Sequence, residues 1–331
     1  MKKIDLVVGA RPNYIKAFPV YNALYKTGYF NLRLINTGQH YDDNMADIFF
    51  RQMGMKEPDI DLAVGSGTHA VQTAKIMVEI EKEFIRNKPD LLIVFGDVNS
   101  TLASALAATK LHIPVAHVEA GLRSFDRSMP EEINRVLTDQ ISEILFTTSQ
   151  EAKQNLLTEG KNEFEIYFVG NTMIDSLIKF EKLFNCNELL NEKKVTNNEF
   201  ILITLHRPSN VDNPNKLNKV ANALNKISER KIIIWPIHPR TWQRLTEQKI
   251  TLNEKIIITK PVGYLEFMGL QKNANFIITD SGGVQEESTY FGIPCFTMRE
   301  NTKRPITITE GTNILVGTDF IRLPKIIYKK Y

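Results

Sequence analysis

The sequence has few cysteines and no spacing of metal-binding side chains. Only Cys186 and Cys295 occur among 331 residues, and neither belongs to a CxxC motif or a Cys/His cluster. The six histidines show no HxH or HExxH spacing. These absences argue against a structural or catalytic metal and against a disulfide framework, and they favour a reducing, cytoplasmic environment.

Long apolar runs and an excess of one charge are also missing. No run approaches the roughly 18 apolar residues that cross a membrane, and the opening MKKIDLVVGARPN is typical of a first β-strand rather than a signal peptide. The net charge is only +3, with scattered lysines and no basic stripe. We therefore expect a soluble protein that binds neither membrane nor nucleic acid.

Three common enzyme motifs are absent as well. The first strand is not followed by GxGxxG, and the chain contains neither a P-loop nor GxSxG. A nicotinamide enzyme is therefore disfavoured, and no cofactor is expected.

The pattern of the chain predicts an α/β fold in two domains. Its length exceeds the size at which one hydrophobic core keeps growing, which favours two domains of roughly 150 residues each. Short β-branched runs alternate with segments of helical periodicity. We predict two Rossmann-like domains whose parallel sheets face a central cleft, over residues 1–170 and 171–331, with a polar linker near 170–198. Predicted strands cover residues 3–9, 32–36, 91–96, 113–118, 144–148, 166–170, 200–205, 231–237, 255–259, 276–279 and 294–298.

Two features recur in the same order in both halves. A strand runs into an Arg-Pro turn at residues 7–13 and again at 203–210, and a strand ending in Asp leads through Ser to a helix and an Ile-Pro at 93–121 and 277–300. Chance similarity between two α/β halves is the alternative. Either way, the unusual residues follow strand ends, where ligands of open parallel sheets bind.

The turn Asp280-Ser281-Gly282-Gly283 lies between an apolar strand and a helix. Free backbone N–H groups at a helix start suit a phosphate or diphosphate, and glycine allows close approach. A simple N-cap with a flexible turn is the alternative.

Basic side chains lie beyond two further strand ends. Arg11 with Lys16, and His206 with Arg207, could complement a diphosphate through charge-assisted hydrogen bonds. Taken singly, either arginine could be a solvated loop residue.

Acidic residues gather after two neighbouring strands. Asp97 ends one strand, Glu119 follows the next, and Glu131 begins a helix after Pro130. Neighbouring carboxylates raise one another's pKa, which is useful for proton transfer at neutral pH. Glu131 and Glu132 could instead only complement their helix dipole.

Together, these motifs resemble the non-hydrolysing UDP-N-acetylglucosamine 2-epimerases, whose GT-B fold is shared with many nucleotide-sugar glycosyltransferases. The similarity runs from Val7 to about Gly317 through GARPNYIK, TGQHYDDNM, FGDVNST, HVEAGLRS, PEEINR, TLHRPSN, IHPR, TDSGGVQEE and MRENTKRP. The order and spacing of these segments are far more specific than any one of them.

The resemblance implies a reaction and a set of site residues. UDP leaves to give a 2-acetamidoglucal intermediate and adds back with the configuration at C2 inverted. Proton transfer at C2 would involve Asp97, Glu119 and Glu131, with His206 among the catalytic residues and also near the diphosphate. The remaining implied contacts are Arg11, Lys16, Ser281, Gly282, Gly283 and Arg304 with the diphosphate, Glu287 with the ribose, Phe267 with the uracil, and Gln39 and His40 with an activating second substrate molecule.

Several departures from the family pattern leave alternatives open. Ala10 and Asn13 stand where Thr and Glu are usual, Lys303 replaces a common Glu, and the family's long returning C-terminal helix is not apparent beyond Ile321, with Pro324 expected to interrupt this segment. Reduced stability or impaired activity is the expected consequence. A glycosyltransferase of the same fold, a hydrolysing epimerase and a catalytically inactive UDP-sugar-binding protein remain as alternatives, and the resemblance implies a homodimer.

Overall fold

The computed structural model describes residues 1–39, 54 and 56–330. The chain divides into two compact units, Met1–Lys179 and Phe180–Tyr331. The division falls inside the stretch that the sequence marks as a linker.

The amino-terminal unit is built on a seven-stranded parallel sheet of order β3-β2-β1-β4-β5-β6-β7. Its strands are β1 Lys2–Val8, β2 Phe30–Asn36, β3 Ile60–Asp61, β4 Leu91–Phe95, β5 Val115–Ala120, β6 Ile144–Thr147 and β7 Ile166–Phe168. Its helices are α1 Arg11–Thr27, α2 His69–Arg86, α3 Asn99–Lys110, α4 Pro130–Ile141, α5 Gln150–Thr158 and α6 Thr172–Phe180, with a 3₁₀ turn at Glu163–Glu165.

The carboxy-terminal unit has a six-stranded parallel sheet of order β10-β9-β8-β11-β12-β13. Its strands are β8 Phe200–Thr204, β9 Ile232–Pro236, β10 Ile256–Thr259, β11 Phe276–Thr279, β12 Cys295–Thr297 and β13 Asn313–Leu315. The helices are α7 Asn187–Lys193, α8 Pro208–Val211, α9 Pro214–Ser228, α10 Pro239–Glu247, α11 Tyr264–Asn273, α12 Gly282–Phe291, α13 Ile306–Thr309 and α14 Leu323–Lys330, with a 3₁₀ turn at Glu181–Leu183.

Burial on both faces explains the near-continuous apolar strands. In β8, Ile201 and Ile203 pack into one hydrophobic cluster with α9 and α14, whereas Phe200 and Leu202 pack into another with α7, α11 and α12. Successive side chains of a strand point to opposite faces, so helices on both sides require apolar residues at every position. This is the pattern from which the sequence predicted parallel sheets, and the two α/β domains are confirmed.

Both sheets share one topology around their central pair of strands. The chain moves from β1 outward through β2 to β3, and then restarts at β4 on the other side of β1; β8, β9, β10 and β11 repeat this order. The carboxyl ends of β1 and β4, and of β8 and β11, therefore flank the point at which such sheets bind ligands. The two recurring motifs of the sequence occupy these equivalent positions.

Two local expectations from the sequence were wrong, and two strands were not anticipated. The polar stretch 185–198 is only partly irregular, because Asn187–Lys193 form α7, which buries Leu189 and Leu190 in the core of the carboxy-terminal unit. Pro324 does not interrupt a helix, because it lies in the first turn of α14, where a missing N–H costs nothing. The short edge strands β3 and β13 were not predicted.

The last helix is anchored on its own unit. Leu323 and Ile327 join the core, and the Tyr328 hydroxyl donates to the Lys226 carbonyl oxygen over 2.7 Å. Within the described part of the chain, no helix combines the length and apolar character needed to cross a lipid bilayer.

Candidate active site

Asn13 fixes the turn between β1 and α1. Its Oδ1 accepts hydrogen bonds from the backbone N–H groups of Gly9 and Ala10, at 3.3 and 3.2 Å, and its Nδ2 donates to the Phe95 carbonyl oxygen over 2.8 Å. A Glu at this position could accept but could not donate to Phe95. Asn13, which departs from the family pattern, therefore still caps the start of α1 and adds a hydrogen bond to the neighbouring strand β4.

A buried ion pair joins α1 to β5. Lys16 Nζ lies 2.5 Å from Glu119 Oε2, and the two side chains are 8% and 3% exposed. Glu119 does not follow the strand, as the sequence suggested, but lies within it at a β-bulge with a φ of 77°. A bulge re-aims the side chain, and a non-glycine residue holds such a φ only where its surroundings enforce it.

A second ion pair holds the carboxylate that follows β4. Arg135 Nη2 contacts Asp97 Oδ2 at 2.6 Å, and Asn134 Nδ2 donates to the Asp97 carbonyl oxygen over 3.0 Å. Asp97 and Glu119 thus stand at the carboxyl ends of two paired strands, each opposite a cation from a helix. These cations offset the like-charge cost that the sequence analysis anticipated.

The two glutamates that begin α4 differ in environment. Glu132 is buried; it accepts hydrogen bonds from the backbone N–H groups of Ser124 and Phe125 and pairs with Arg135. Glu131 is half-buried in the first helical turn. Glu132 therefore shapes the loop that precedes the helix, and Glu131 stays the candidate for chemistry.

A buried histidine lies beneath this group. His117 Nδ1 is 2.7 Å from Asp139 Oδ1, and its Nε2 is 2.7 Å from the Gly96 carbonyl oxygen. Burial alone would raise the pKa of Asp139, but His117 and Arg123 outweigh it, so the pKa lies below its ordinary value. Neither His117 nor Asp139 is among the site residues predicted from the sequence.

In the carboxy-terminal unit, Asp280 organises the turn after β8. Its carboxylate accepts from the backbone N–H groups of His206 and Arg207 and from Asn210 Nδ2, at 3.0 to 3.2 Å. His206 Nδ1 lies 3.1 Å from Asp280 Oδ1. Burial alone would raise the pKa of Asp280, but these hydrogen bonds and His206 lower it below its ordinary value. If Nδ1 donates to Asp280, Nε2 of the half-exposed His206 ring is the nitrogen that can accept a hydrogen bond.

The turn after β11 provides the expected helix start. Ser281 is the N-cap of α12, with no side-chain capping bond, and Ser281, Gly282 and Gly283 are half-buried. A Cβ added at Gly282 would meet only Lys303 Cε, at 4.0 Å. Backbone N–H groups at a helix start beside a lysine side chain suit an anion.

Other predicted contacts of the substrate lie around the same helix. Glu287 Oε2 accepts from Gln271 Nε2 at 2.6 Å, and Phe267, one turn before Gln271 on α11, packs against the core. Arg304 Nη1 lies 2.7 Å from Glu286 Oε1 and is almost fully buried. Glu287 thus lies on α12 and Phe267 on α11, and Arg304 lies in the loop before α13 and contacts α12 through Glu286.

The predicted activator residues are only partly described. Gln39 is buried, and its Oε1 accepts from the backbone N–H and the hydroxyl of Ser100 at 3.2 and 2.7 Å. His40 lies outside the described residues. Arg11 is the first residue of α1, and its side chain also lies outside what the structure describes.

The sequence did not reveal the residues that contact and orient the carboxylates and histidines of the site. Each of these residues lies far along the chain from the carboxylate or histidine that it contacts; they are Arg135, His117, Asp139 and Gln271. A signal was present for Arg135 and Asp139, because helical spacing places them one turn apart on one face of α4. Their burial could not be read from it.

Together these features define a doubly wound α/β protein with a helix start suited to an anion in one unit and ion-paired carboxylates in the other. Comparisons with known proteins narrow this class. A sequence profile described as UDP-N-acetylglucosamine 2-epimerase matches residues 22–327. The UDP-N-acetylglucosamine 2-epimerase of Methanococcus maripaludis is 49% identical over 96% of this chain and 89% of its own length.

Two further proteins show the same relationship. A crystal structure of Methanocaldococcus jannaschii UDP-GlcNAc 2-epimerase in complex with UDP-GlcNAc and UDP has a TM-score of 0.91 and 48% identity, covering 99% of this chain and 92% of that one. A Pseudomonas aeruginosa UDP-2,3-diacetamido-2,3-dideoxy-D-glucuronate 2-epimerase is 44% identical over 95% of this chain and 88% of its own length. This chain therefore belongs to the UDP-N-acetylglucosamine 2-epimerase family, as the sequence motifs indicated.

Proposed function

We propose that this protein is an enzyme that reversibly inverts C2 of UDP-N-acetylglucosamine to give UDP-N-acetylmannosamine. The proposal depends on one observation above all. In this chain, two carboxylates stand near the carboxyl ends of two paired strands, and each forms an ion pair with a buried basic side chain: Glu119 with Lys16, and Asp97 with Arg135. The glycosyltransferase and inactive-binder alternatives give no reason to retain this arrangement.

The reaction begins with the departure of UDP, which needs groups that bind an anion. The C2 hydrogen is barely acidic, so its removal is coupled to cleavage of the bond from C1 to the UDP oxygen, and UDP leaves with the bonding electron pair. Anion-binding groups lower the barrier to that departure. We assign this role to Ser281, Gly282, Gly283 and His206, and with them Arg11 and Arg304.

Proton transfer at C2 falls to the amino-terminal unit. Inversion requires one group that accepts the C2 proton and another that returns a proton to the opposite face of the glucal intermediate. We assign these roles among Asp97, Glu119 and Glu131, with Lys16 holding the Glu119 carboxylate in place through their ion pair. In the carboxy-terminal unit, Glu287 binds the ribose diol and Phe267 lies against the uracil.

Incubation with UDP-N-acetylglucosamine in deuterated water tests the proposal. NMR should show deuterium at C2 in both epimers and UDP-N-acetylmannosamine as a new product. Glu119→Gln should abolish exchange, whereas the control Glu83→Gln, which alters a carboxylate paired with Arg33 away from the strand ends, should not. Release of free N-acetylmannosamine would identify a hydrolysing enzyme, and sugar transfer without exchange would identify a glycosyltransferase.

A second sugar is a specific candidate substrate. The 44% identical Pseudomonas relative is a 2-epimerase of UDP-2,3-diacetamido-2,3-dideoxy-D-glucuronate. That sugar shares UDP and the reacting C2 with UDP-N-acetylglucosamine and differs at C3 and C6. The same exchange assay with both substrates, compared by kcat/KM, decides between them.

Assembly, activation and location are further parts of the proposal. Val71, Val78 and Ile85 form an exposed apolar row on α2, which supports a homodimer; light scattering should give twice the chain mass. Activation by a second substrate molecule near Gln39 and His40 predicts a sigmoidal rate curve. Two free, buried cysteines support a cytoplasmic location, which cell fractionation checks.

A further inference from the structure

Asp139 forms hydrogen bonds with residues of the chain on both sides of Glu119. Its Oδ1 lies 2.7 Å from His117 Nδ1, and its Oδ2 accepts from the Gly121 backbone N–H over 3.0 Å. His117 and Gly121 stand two residues before and two residues after Glu119. One carboxylate therefore spans the bulge at which Glu119 holds its unusual backbone conformation.

The same network reaches the strand beside it. His117 Nε2 donates to the Gly96 carbonyl oxygen over 2.7 Å. Gly96 has a φ of 65°, and a Cβ there would lie 3.0 Å from Lys16 Nζ and 4.0 Å from Glu119 Oε1. His117 thus fixes the backbone directly beneath the Lys16 and Glu119 ion pair.

Charge and burial make this network rigid. His117 and Asp139 are fully buried, and Arg123 Nη1 pairs with Asp139 Oδ2 at 2.7 Å while its other nitrogens pair with Glu159. Both ring nitrogens of His117 lie against oxygen atoms, one of the Asp139 carboxylate and one of the Gly96 carbonyl group. Buried networks in which every member is satisfied specify one geometry.

We propose that His117 and Asp139 are positioning residues for the reaction at C2: they hold the Glu119 bulge and the Gly96 backbone in the geometry that aims the Glu119 carboxylate. They touch no substrate and act through Glu119. This inference rests on the proposed function, because it assigns Glu119 to proton transfer.

The bond pattern predicts how paired substitutions behave. In His117→Gln, the amide nitrogen can replace Nε2 and donate to Gly96, but the amide oxygen then faces the Asp139 carboxylate. Adding Asp139→Asn replaces Oδ1 with an NH₂ that donates to that oxygen, and the remaining oxygen still accepts from Gly121 and Arg123. The second substitution should therefore repair the first.

The test compares wild type, H117Q, D139N and H117Q/D139N by kcat, KM and C2 deuterium exchange per folded protein. A reacting group displaced by about 1 Å loses on the order of 100-fold in rate. We expect kcat of H117Q to fall by about that factor with KM and the Kd for UDP unchanged. The double variant should recover most of the lost kcat. The kcat of D139N should be higher than that of H117Q.

Controls separate positioning from stability. Asp5→Asn removes another fully buried carboxylate of the same sheet, paired with Arg33 at 2.5 Å, and should lower Tm without lowering kcat. Should H117Q not fold, His117→Asn keeps the donor to Asp139 but releases Gly96, and it should show the same selective fall in kcat.

Wild-type kcat in a folded His117 variant, or no recovery in the double variant, overturns the inference. An equal loss of kcat in Asp5→Asn does so as well. Absence of exchange in the wild-type protein instead counts against the proposed function, because the inference concerns only the ratio of variant to wild type.

Discussion

Substitution of Gly96 by alanine should impair activity far more than its cost in stability suggests. Gly96 and Gly28 have nearly the same left-handed backbone, with φ of 65° and 69°. An L-residue in this conformation costs about 1–2 kcal/mol. A Cβ at Gly28 meets nothing within 4 Å, whereas at Gly96 it lies 3.0 Å from Lys16 Nζ.

The two variants should therefore share one stability effect and differ in function. Lys16 Nζ is the end of a flexible side chain, so it can move aside at little cost in the free energy of unfolding. That movement disturbs the 2.5 Å contact with Glu119 Oε2. We expect kcat of Gly96→Ala to fall about 100-fold, the cost of a displacement near 1 Å, while Gly28→Ala keeps wild-type kcat.

The assay combines urea unfolding with the initial rate of C2 deuterium exchange. Both variants should lose about 1–2 kcal/mol of stability. Equal rates in Gly96→Ala and Gly28→Ala would show that a side chain at Gly96 does not disturb the Lys16 and Glu119 contact in a way that matters to the reaction, which contradicts this prediction.

Three other outcomes are expected. Asp280→Asn places an NH₂ against His206 Nδ1 and so reverses the ring tautomer, and kcat should fall by about 10²- to 10⁴-fold, the range of acid–base contributions. The chemical shifts of the His206 ring nitrogens report the tautomer. An unchanged kcat would contradict the role assigned to His206. The pKa values of Asp139 and Asp280 are lowered in the folded protein, so these carboxylates contribute stability that is complete above their unfolded pKa of 3.8. This stability is lost as the pH falls from there through the folded pKa. In acid unfolding followed by circular dichroism, D139N should therefore lose less of its free energy of unfolding below about pH 4 than wild type does. Burial raises the pKa of Cys186, and that of Cys295 to about 11, so mass spectrometry should find neither thiol alkylated by iodoacetamide at pH 8 in the native protein and both alkylated after unfolding.

The sheet architecture was readable from the chain because parallel strands covered on both faces must be apolar at every position. Runs such as LLIVF in β4 and FILIT in β8 carry that signal within five residues. The edge strands β3 and β13 carry little of it, since they are two and three residues long and only partly buried. The helix α7 was missed because its polar residues face outward and only a short apolar pair, Leu189 and Leu190, marks it.

Local patterning is enough to place Asp97, His206 and the Ser281 turn after strands, because each of them follows an apolar run. The bulge that holds Glu119 within β5, and the cation that pairs with each carboxylate, depend on packing. Lys16 with Glu119 and Arg135 with Asp97 join elements far apart in the chain. Burial and ion pairing are properties of packed neighbours, and a linear pattern of hydrophobicity carries no information about which neighbours will meet.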